Sequence, residues 1–441
     1  MTLSWGRVVV LSLGSALLVN VSLGPMASAI GAASIVVWAL TALIGLAQCV
    51  LLGELGSRYP DLVGGPPAYI HEAFKDRSPA LGALCAWAYW TAWIPGVGVH
   101  VMLAAEYFRA AFWPSADVAP LVVVFVVVLY ALNYFGLSLL FWTSSAFAVC
   151  AITPLLVILG VSLFGSFDRA LIVDGGWPLG VWPSAGMSLL VAKWMFVATW
   201  SSYGGEMATT LVGGLRERRR NIPRVLAASG LLTFLAFTVV PVALFANIGA
   251  DALAADPYVV FLTAARGTFG AGGTAIISIM LIAALLSGAQ LFIISSSRAL
   301  YEMSRNGLTL RVFSRLNAHG VPVGSVGWDA LVTLSLLAVF RENIVNVVAA
   351  ANVSYMVVFV LLPAAYLAIR KRERSASDTR TLPRFMDVVA RAVFVLNSAL
   401  LVVGGLQWGA TVVGVGIALM IASMPFYLQR QRRVRSLETV A

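Results

Sequence analysis

Long stretches without a charged residue follow one another along almost the whole chain. Residues 8–53 and 118–167 contain no Asp, Glu, Lys or Arg, and shorter runs of the same kind continue to residue 429. A helix of about 20 apolar residues is long enough to cross a lipid bilayer. The two longest runs, of 46 and 50 residues, therefore predict two membrane-spanning helices each.

The other apolar runs bring the number of predicted spans to 12. Single spans are predicted within residues 79–105, 187–212, 225–250, 267–297, 324–340 and 343–369, and two more within residues 392–429. In composition, 60% of residues are hydrophobic and 11% are charged, whereas about a quarter of the residues in a soluble domain are charged. We therefore expect an all-α polytopic membrane protein, and the composition excludes a soluble, disordered or disulfide-stapled chain.

The positive charge of the chain is unevenly distributed between the two sides of this predicted topology. Of the 29 Lys and Arg residues, 23 fall in the N-terminus, the C-terminus and the loops on the same side, and four fall in the opposite loops. Basic loops stay in the cytoplasm. The sequence therefore predicts a cell-membrane protein with both termini in the cytoplasm, and the placement of its net charge of +10 argues against a nucleic-acid partner.

The first apolar run is interpreted as a membrane span and not as a signal peptide. Ala27, Ser28 and Ala29 imitate a cleavage site. Cleavage there would leave eleven spans and would place the basic loops outside.

Two predicted spans contain small, polar or Gly/Pro-rich residues at matching places in the two halves of the chain. An unwound stretch in a bilayer frees backbone N–H and C=O groups, which attract the charged ends of a substrate. The alternative is that these residues provide kinks or close helix packing. The predicted substrate-binding residues in spans one and six are Asn20, Val21, Ser22, Leu23, Gly24, Trp200, Ser201, Ser202, Tyr203, Gly204 and Glu206.

Glu206 is interpreted as the one carboxylate deep within a span. A charge there costs about 2.5–3.5 kcal/mol or more, so such a residue is expected to be functional. Glu206 is predicted to carry a proton or to hold a substrate ammonium, with a protonated structural role as the alternative. Asp329 lies a few residues into span nine, so a solvated or helix-capping role is expected. Trp93, His100 and Ser287 are further candidates for the lining of a cavity, with packing as the alternative.

Five inter-span stretches resemble the amino acid–polyamine–organocation superfamily. They are GELGSRYP at 53–60 followed by GGP at 64–66 and Tyr69, LNYFGL at 132–137, RRNIPR at 219–224, SRALYEMSRNGL at 297–308 and PV at 322–323. The resemblance implies a secondary transporter with a five-plus-five inverted-repeat core and two appended helices. Residues 1–370 would form the core, with repeats at about 8–167 and 187–370, and residues 371–441 would form spans 11–12 and a basic tail.

Span six also resembles the basic amino acid/amine antiporters of that superfamily. The resemblance rests on Trp200-Ser201 followed by Gly204 and Glu206. It implies that Trp200 gates the bound substrate and that Glu206 takes part in pH-dependent transport.

Span one departs from the superfamily pattern. The usual Gly-Ser-Gly is replaced by Leu18-Val19-Asn20, or else the interruption lies at residues 22–25. Without those glycines the site is less suited to a carboxylate, so decarboxylated amines, polyamines included, stay an alternative substrate class.

The expected function is secondary active transport of amino acids or related amines, as a permease or antiporter working by alternating access. A proton or a counter-substrate would be its further partner. A non-transporting sensor on the same fold is the remote alternative. Three scattered histidines offer no cluster for metal or nucleophilic chemistry, so we expect no enzyme activity, cofactor or metal.

Overall fold

In the computed structural model the chain is helical along almost all of its described length. The structure describes residues 4–12, 21–62, 64–136, 153–165, 167–174, 184–341, 343–375 and 385–438. Within these ranges the one β-type pairing is an isolated bridge between Leu316 and Pro322.

The α-helices of these ranges are numbered in chain order. They are α1 (Trp5–Ser12), α2 (Leu23–Ile30), α3 (Ala33–Arg58), α4 (Pro66–Phe74), α5 (Pro79–Trp93), α6 (Pro95–Phe112), α7 (Val118–Tyr134), α8 (Thr153–Phe164), α9 (Arg169–Asp174), α10 (Ala185–Ser202), α11 (Arg218–Ala255), α12 (Val260–Arg305), α13 (Val323–Phe340), α14 (Ile344–Ser375), α15 (Phe385–Ala399), α16 (Ala410–Ile421) and α17 (Ser423–Glu438).

Seven helices of the described residues are long and apolar enough to cross a membrane. They are Ala33–Arg58, Arg218–Ala255, Val260–Arg305, Val323–Phe340, Ile344–Glu373, Phe385–Gly404 and Ala410–Arg432. The apolar helices α7 and α8 are shorter. Every apolar run that predicted a span contains a described helix, and the prediction of an all-α polytopic membrane protein is confirmed.

Several predicted spans consist of two helical pieces. α5 and α6 together fill the third span and meet at Pro95, which has no N–H for the helical ladder. α11 is interrupted at Gly249 (φ 77°) and α12 at Gly270 (φ 60°), where only glycine adopts the left-handed backbone without strain. The short piece of α12 before Gly270 lies directly before the eighth span. In the first half of the chain, α4 lies in the same way directly before the third span. This placement fits two repeats of opposite orientation.

Two pairs of helices that an inverted repeat would make equivalent pack extensively against each other. α3 packs along α11, and α6 packs along α12. Between α3, α11 and the stretch after α10 the backbones approach closely, since a Cβ on Gly205 would lie 2.9 Å from the Gly230 Cα. Spans two and seven, and spans three and eight, thus form two closely packed pairs.

Loops that the sequence assigns to one side of the membrane contact each other. On the side predicted to be cytoplasmic, Arg58 pairs with Glu373, and Asn317 Nδ2 donates to the Tyr134 carbonyl at 2.8 Å. On the opposite side, Arg266 Nη2 donates to the Ala110 carbonyl at 2.7 Å. These contacts agree with the order of spans.

A close helix contact gives a direct test of how the twelfth span docks on the tenth. A Cβ on Gly416 would lie 2.4 Å from the Ala350 carbonyl oxygen, whereas a Cβ on Gly414 of the same helix would meet no atom within 4 Å. We expect Gly416→Ala to lower the free energy of unfolding by about 1–3 kcal/mol through overpacking. Melting of the detergent-solubilised protein measures this change.

Gly414→Ala is the matched control for this substitution. Alanine is up to about 1 kcal/mol more favourable than glycine in a helix, so the control is expected to melt at the same or a higher temperature. Equal melting of the two variants would contradict the contact between α16 and α14.

Candidate functional site

The sixth span is interrupted where its sequence predicts an interruption. α10 ends at Ser202, and Tyr203 (φ −82°, ψ 0°) leads into a 3₁₀-helix over Gly204–Thr210. The two glycines at 204 and 205 weaken the α-helix there, because glycine is about 1 kcal/mol less favourable than alanine in a helix interior. Glu206 therefore follows the interruption and is completely buried.

The first span contains a helix start at the corresponding place. α2 begins at Leu23, and Ser22 before it has a non-helical backbone (φ −132°, ψ 1°). Leu23, Gly24 and Pro25 are helical, so the interruption lies at or before Ser22. Asn20 and the Leu18-Val19 pair lie outside the described residues.

The two interruptions lie beside each other. α1, which precedes the interruption of span one, contacts the 3₁₀-helix that follows the interruption of span six. Conversely α2, which follows the first interruption, contacts α10, which precedes the second. Spans one and six therefore run in opposite directions with their interruptions at the same level.

Glu206 is held by two tyrosines from different spans. Tyr89 of α5 donates its hydroxyl to Oε2 at 2.7 Å, and Tyr355 of α14 donates to Oε1 at 3.1 Å. None of the ion pairs within the described ranges includes Glu206. The carboxyl group thus joins spans three, six and ten through hydrogen bonds alone.

Aromatic rings surround this carboxyl group. The Trp93 ring packs edge-on against Tyr89 and Tyr355, with centroids 5.7 and 5.9 Å apart. On the other side, Phe359 packs against Tyr355 at 4.5 Å and against Tyr203 at 5.2 Å. This aromatic cluster, made of Tyr89, Trp93, Tyr203, Tyr355 and Phe359, supplies ring faces that attract cations.

Several buried polar atoms at the two interruptions make no hydrogen bond in the described structure. They are the hydroxyls of Ser22, Ser201 and Ser202. A buried polar group without a partner costs about 1–3 kcal/mol. These atoms are thus available to a polar ligand at the place where the sequence predicts one.

Trp200 is anchored to span three. Its side chain is buried, and its Nε1–H donates to the Ala92 carbonyl at 2.9 Å. Ala92 lies in the turn before Pro95, next to Thr91, whose carbonyl is the one that loses its helical donor at the proline. A gating motion of the Trp200 ring, which stays a prediction, would break this bond.

The remaining candidates of spans one, three and eight differ in their surroundings. Val21 and Leu23 are buried, and Gly24 approaches the backbone of Pro257, since a Cβ there would lie 2.2 Å from that carbonyl oxygen. His100 Nδ1 lies 2.7 Å from the Gly96 carbonyl, and its ring packs on Phe292, with the centroids 5.0 Å apart. This arrangement favours the packing interpretation of His100.

Ser287 is half-buried on α12. Nothing in the described structure connects this serine to Glu206. Its role in lining a cavity stays a prediction.

Asp329 contradicts the expectation of a solvated position. It is completely buried, accepting from Trp90 Nε1 at 3.1 Å and from Ser296 Oγ at 2.6 Å. The loop before α13 folds over the start of this helix, where Ser325 Oγ donates to the Phe313 carbonyl at 2.8 Å. Counting residues from the loop therefore underestimates the burial of Asp329, and Glu206 is not the one completely buried carboxyl group among the described residues.

Sequence reasoning also missed the two tyrosines that hold Glu206. Tyr89 lies within the run of Trp87, Trp90 and Trp93, where the hydroxyls of Tyr89 and Thr91 are the polar signals. Tyr355 follows a similar signal, the polar Asn352-Val353-Ser354 stretch inside an apolar helix.

A family model described as amino acid permease matches residues 3–436. The chain belongs to this family. The five loop motifs and the resemblance to the amino acid–polyamine–organocation superfamily are thereby confirmed at the level of the family.

Curated relatives share about a quarter of their residues with the chain. The amino-acid permease RocE of Bacillus subtilis is 25% identical over 304 residues, which cover 66% of this chain and 62% of the relative. An arginine/ornithine antiporter of Pseudomonas aeruginosa is 24% identical, covering 71% of this chain and 65% of the relative. A putative arginine/ornithine antiporter of Bacillus subtilis is 26% identical, covering 68% of each. The chain thus spans about two thirds of the length of these relatives.

A solved transporter has the same fold. The crystal structure of the Eremococcus coleocola manganese transporter matches with a TM-score of 0.60 at 13% identity, covering 98% of this chain and 96% of that one. Among the described residues, no group of three or more His, Cys, Asp or Glu side chains could hold a metal ion.

The Trp200 anchor can be tested by removing one N–H group. Trp200→Phe keeps an aromatic ring but loses the bond to the Ala92 carbonyl, so we expect a loss of about 0.5–1.5 kcal/mol in stability. Trp194→Phe on the same helix is the control, because the Trp194 indole N–H has no hydrogen-bond partner. Thermal melting compares the two variants, and an equal effect would show that the Trp200 bond contributes nothing.

Proposed function

We propose that this protein is a secondary active transporter that moves amino acids across the cytoplasmic membrane by alternating access. The observation that carries the proposal is the Glu206 carboxyl group, buried at the interruption of span six, surrounded by aromatic rings and free of any cationic partner in the described structure. A buried carboxylate without a partner is costly in a membrane. A substrate that brings its own positive charge removes that cost.

The amine end of the substrate would bind at Glu206. The tyrosine hydroxyls of Tyr89 and Tyr355 use two acceptor positions of the carboxylate, and a carboxylate offers about four. The rings of the aromatic cluster add cation–π attraction, worth about 2 kcal/mol or more where water is excluded. An ammonium or guanidinium group fits this combination.

The carboxylate end would bind at the start of α2. The first N–H groups of a helix have no partner within it and attract anions. At α2 the candidates are the N–H groups of Leu23 and Gly24, which have no acceptor among the described residues, since Pro25 has no N–H and the N–H of Met26 already donates to the Ser22 carbonyl. The free hydroxyl of Ser22 adds a donor at the same place.

Among amino acids, we favour basic ones. Two of the relatives are named arginine/ornithine antiporters, and their names agree with an acidic, aromatic site. Exchange against a counter-substrate, or a proton route through Glu206, would then drive transport. Decarboxylated amines, which need no helix N-terminus, are the alternative substrates.

The remaining organisation follows the predicted topology. Residues 1–370 form the transporter core, and residues 371–441 add the two last spans and the basic tail. Both termini lie in the cytoplasm, because the end of the molecule where Arg58 meets Glu373 carries most of the basic residues. Nothing covalent happens to the substrate, and a sensor that binds without transporting is the remote alternative.

Counterflow in proteoliposomes tests the function itself. The purified protein is loaded with one unlabelled compound, and uptake of its labelled form is followed for arginine, ornithine, lysine, agmatine and cadaverine. We expect accumulation of the basic amino acids above protein-free liposomes. Accumulation of the amines alone would shift the substrate class to polyamines and related amines, and binding without accumulation would favour the sensor.

Replacing Glu206 tests the anchor of the amine. Glu206→Gln keeps the shape of the side chain but removes its charge, and a hydrogen bond to a charged group contributes about 1.5–3 kcal/mol. We expect the apparent substrate affinity to fall about ten- to a hundredfold, and the dependence of transport on pH to be lost. Glu106→Gln is the matched control, because Glu106 pairs with Arg109 at 2.8 Å near the end of α6. Unchanged affinity and pH dependence in Glu206→Gln would remove this residue from the mechanism.

A further inference from the structure

A second buried carboxyl group lies between spans three, eight and nine. Asp329 is completely buried on α13 and is hydrogen-bonded to Trp90 of α5 and Ser296 of α12. It lies six residues after the start of α13, which is about 9 Å along a helix. The mechanism proposed for the substrate does not use it.

No cation neutralises Asp329 in the described structure. None of the ion pairs includes it. The charged and titratable groups on the elements around it are engaged or exposed elsewhere. Tyr130 of α7 bonds to Thr333 at 3.0 Å, and His100 of α6 lies against Gly96 and Phe292. Tyr89 of α5 and Tyr355 of α14 bond to Glu206. Four charged residues at the end of α12 and in the loop before α13 are exposed; they are Arg298, Glu302, Arg305 and Arg311.

The hydrogen bonds around Asp329 suit a neutral carboxylic acid. Ser296 Oγ has two acceptors within reach, Asp329 Oδ2 at 2.6 Å and the Ile293 carbonyl at 3.2 Å, but its hydroxyl carries one hydrogen. If Oδ2 carries a proton, it donates to Ser296 Oγ while Ser296 donates to Ile293. Trp90 Nε1–H, which can only donate, then bonds the carbonyl oxygen Oδ1. Every polar atom is satisfied and no charge is buried.

Two helices connect this site to the substrate site. On α5, the neighbouring residues Tyr89 and Trp90 bond to Glu206 and to Asp329 respectively. On α12, Ser296 bonds to Asp329, and Phe292 one turn earlier packs on Trp93 of the aromatic cluster, with the centroids 5.3 Å apart. A shift of either helix therefore changes the surroundings of both carboxyl groups.

We propose that Asp329 is a second proton-binding site, coupled to the Glu206 site through α5 and α12. In the conformation of this structure the proton is on Oδ2. When a shift of α5 or α12 opens the Asp329 site to water, the O–H bond breaks, the proton passes to a water molecule, and the electron pair stays on the carboxylate, which the water and Trp90 Nε1–H then stabilise. The coupling rests on the proposed transport function, whereas proton binding by Asp329 does not.

Infrared spectroscopy of the reconstituted protein tests proton binding without any transport. A protonated carboxyl group has a C=O stretch separate from that of a carboxylate, and we expect such a band that disappears in Asp329→Asn. Ser296→Ala removes the acceptor of the proton, so the band should move to higher frequency. Ser297→Ala is the control, because the neighbouring Ser297 hydroxyl bonds to the Ile294 carbonyl at 3.3 Å.

If Asp329→Asn does not fold, the shift in Ser296→Ala against Ser297→Ala still identifies the band. Absence of a carboxylic acid band that responds to these variants, from acidic to alkaline pH, would overturn the proposal.

Proton movement during counterflow tests the coupling. In wild-type proteoliposomes, substrate addition is expected to change the intensity of the Asp329 band and to move protons detected by an internal pH dye. In Asp329→Asn we expect the proton signal to fall at least about tenfold while substrate affinity changes by less than about twofold. An unchanged proton signal, or a band that ignores the substrate, would overturn the coupling. Failure to transport or bind any compound would contradict the proposed function and leave the infrared result to decide on Asp329.

Discussion

The carboxyl group of Glu206 needs hydrogen bonds from outside its own span, and this need organises the centre of the molecule. The interruption after Ser202 brings Glu206 inside the protein, where water cannot solvate it. Tyr89 and Tyr355 supply the donors from spans three and ten. Because each tyrosine belongs to a different helix, the position of Glu206 determines how closely spans three, six and ten approach.

Under the proposed function, the same hydrogen bonds would suit this site to a substrate that must be released again. Two neutral donors leave Glu206 with its charge available, whereas a fixed lysine or arginine would compete with any incoming amine. The hydroxyls of Ser201 and Ser202 are also available, because neither has a hydrogen-bond partner in the described structure. A site that combines a carboxylate lacking a cationic partner with unpartnered hydroxyls can bind a polar ligand without first breaking strong internal contacts.

Much of this fold is visible in the sequence, and the missing parts have physical causes. Uncharged runs locate the spans because the bilayer fixes their length, and the glycines at 204 and 205 locate the interruption. Tyr89 and Tyr355 escape notice because they lie 117 and 149 residues from Glu206 and because tyrosines within apolar helices are also common packing residues. Residue spacing predicts that Asp329 lies near the surface, because it follows the loop by only a few residues. Spacing cannot reveal that this loop folds over the start of the helix and buries the side chain.

Span three forms hydrogen bonds to both buried carboxyl groups, Glu206 and Asp329. Tyr89 and Trp90 are about 100° apart around the helix, so the two side chains point to different neighbours, and Pro95, where α6 begins, follows within two turns. The Ala92 carbonyl in that turn accepts from Trp200 of span six. A shift of this turn would thus alter the contacts of Glu206, Asp329 and Trp200 together. One turn of span three therefore connects the two buried carboxyl groups, and under the two proposals it would connect proton binding with substrate binding.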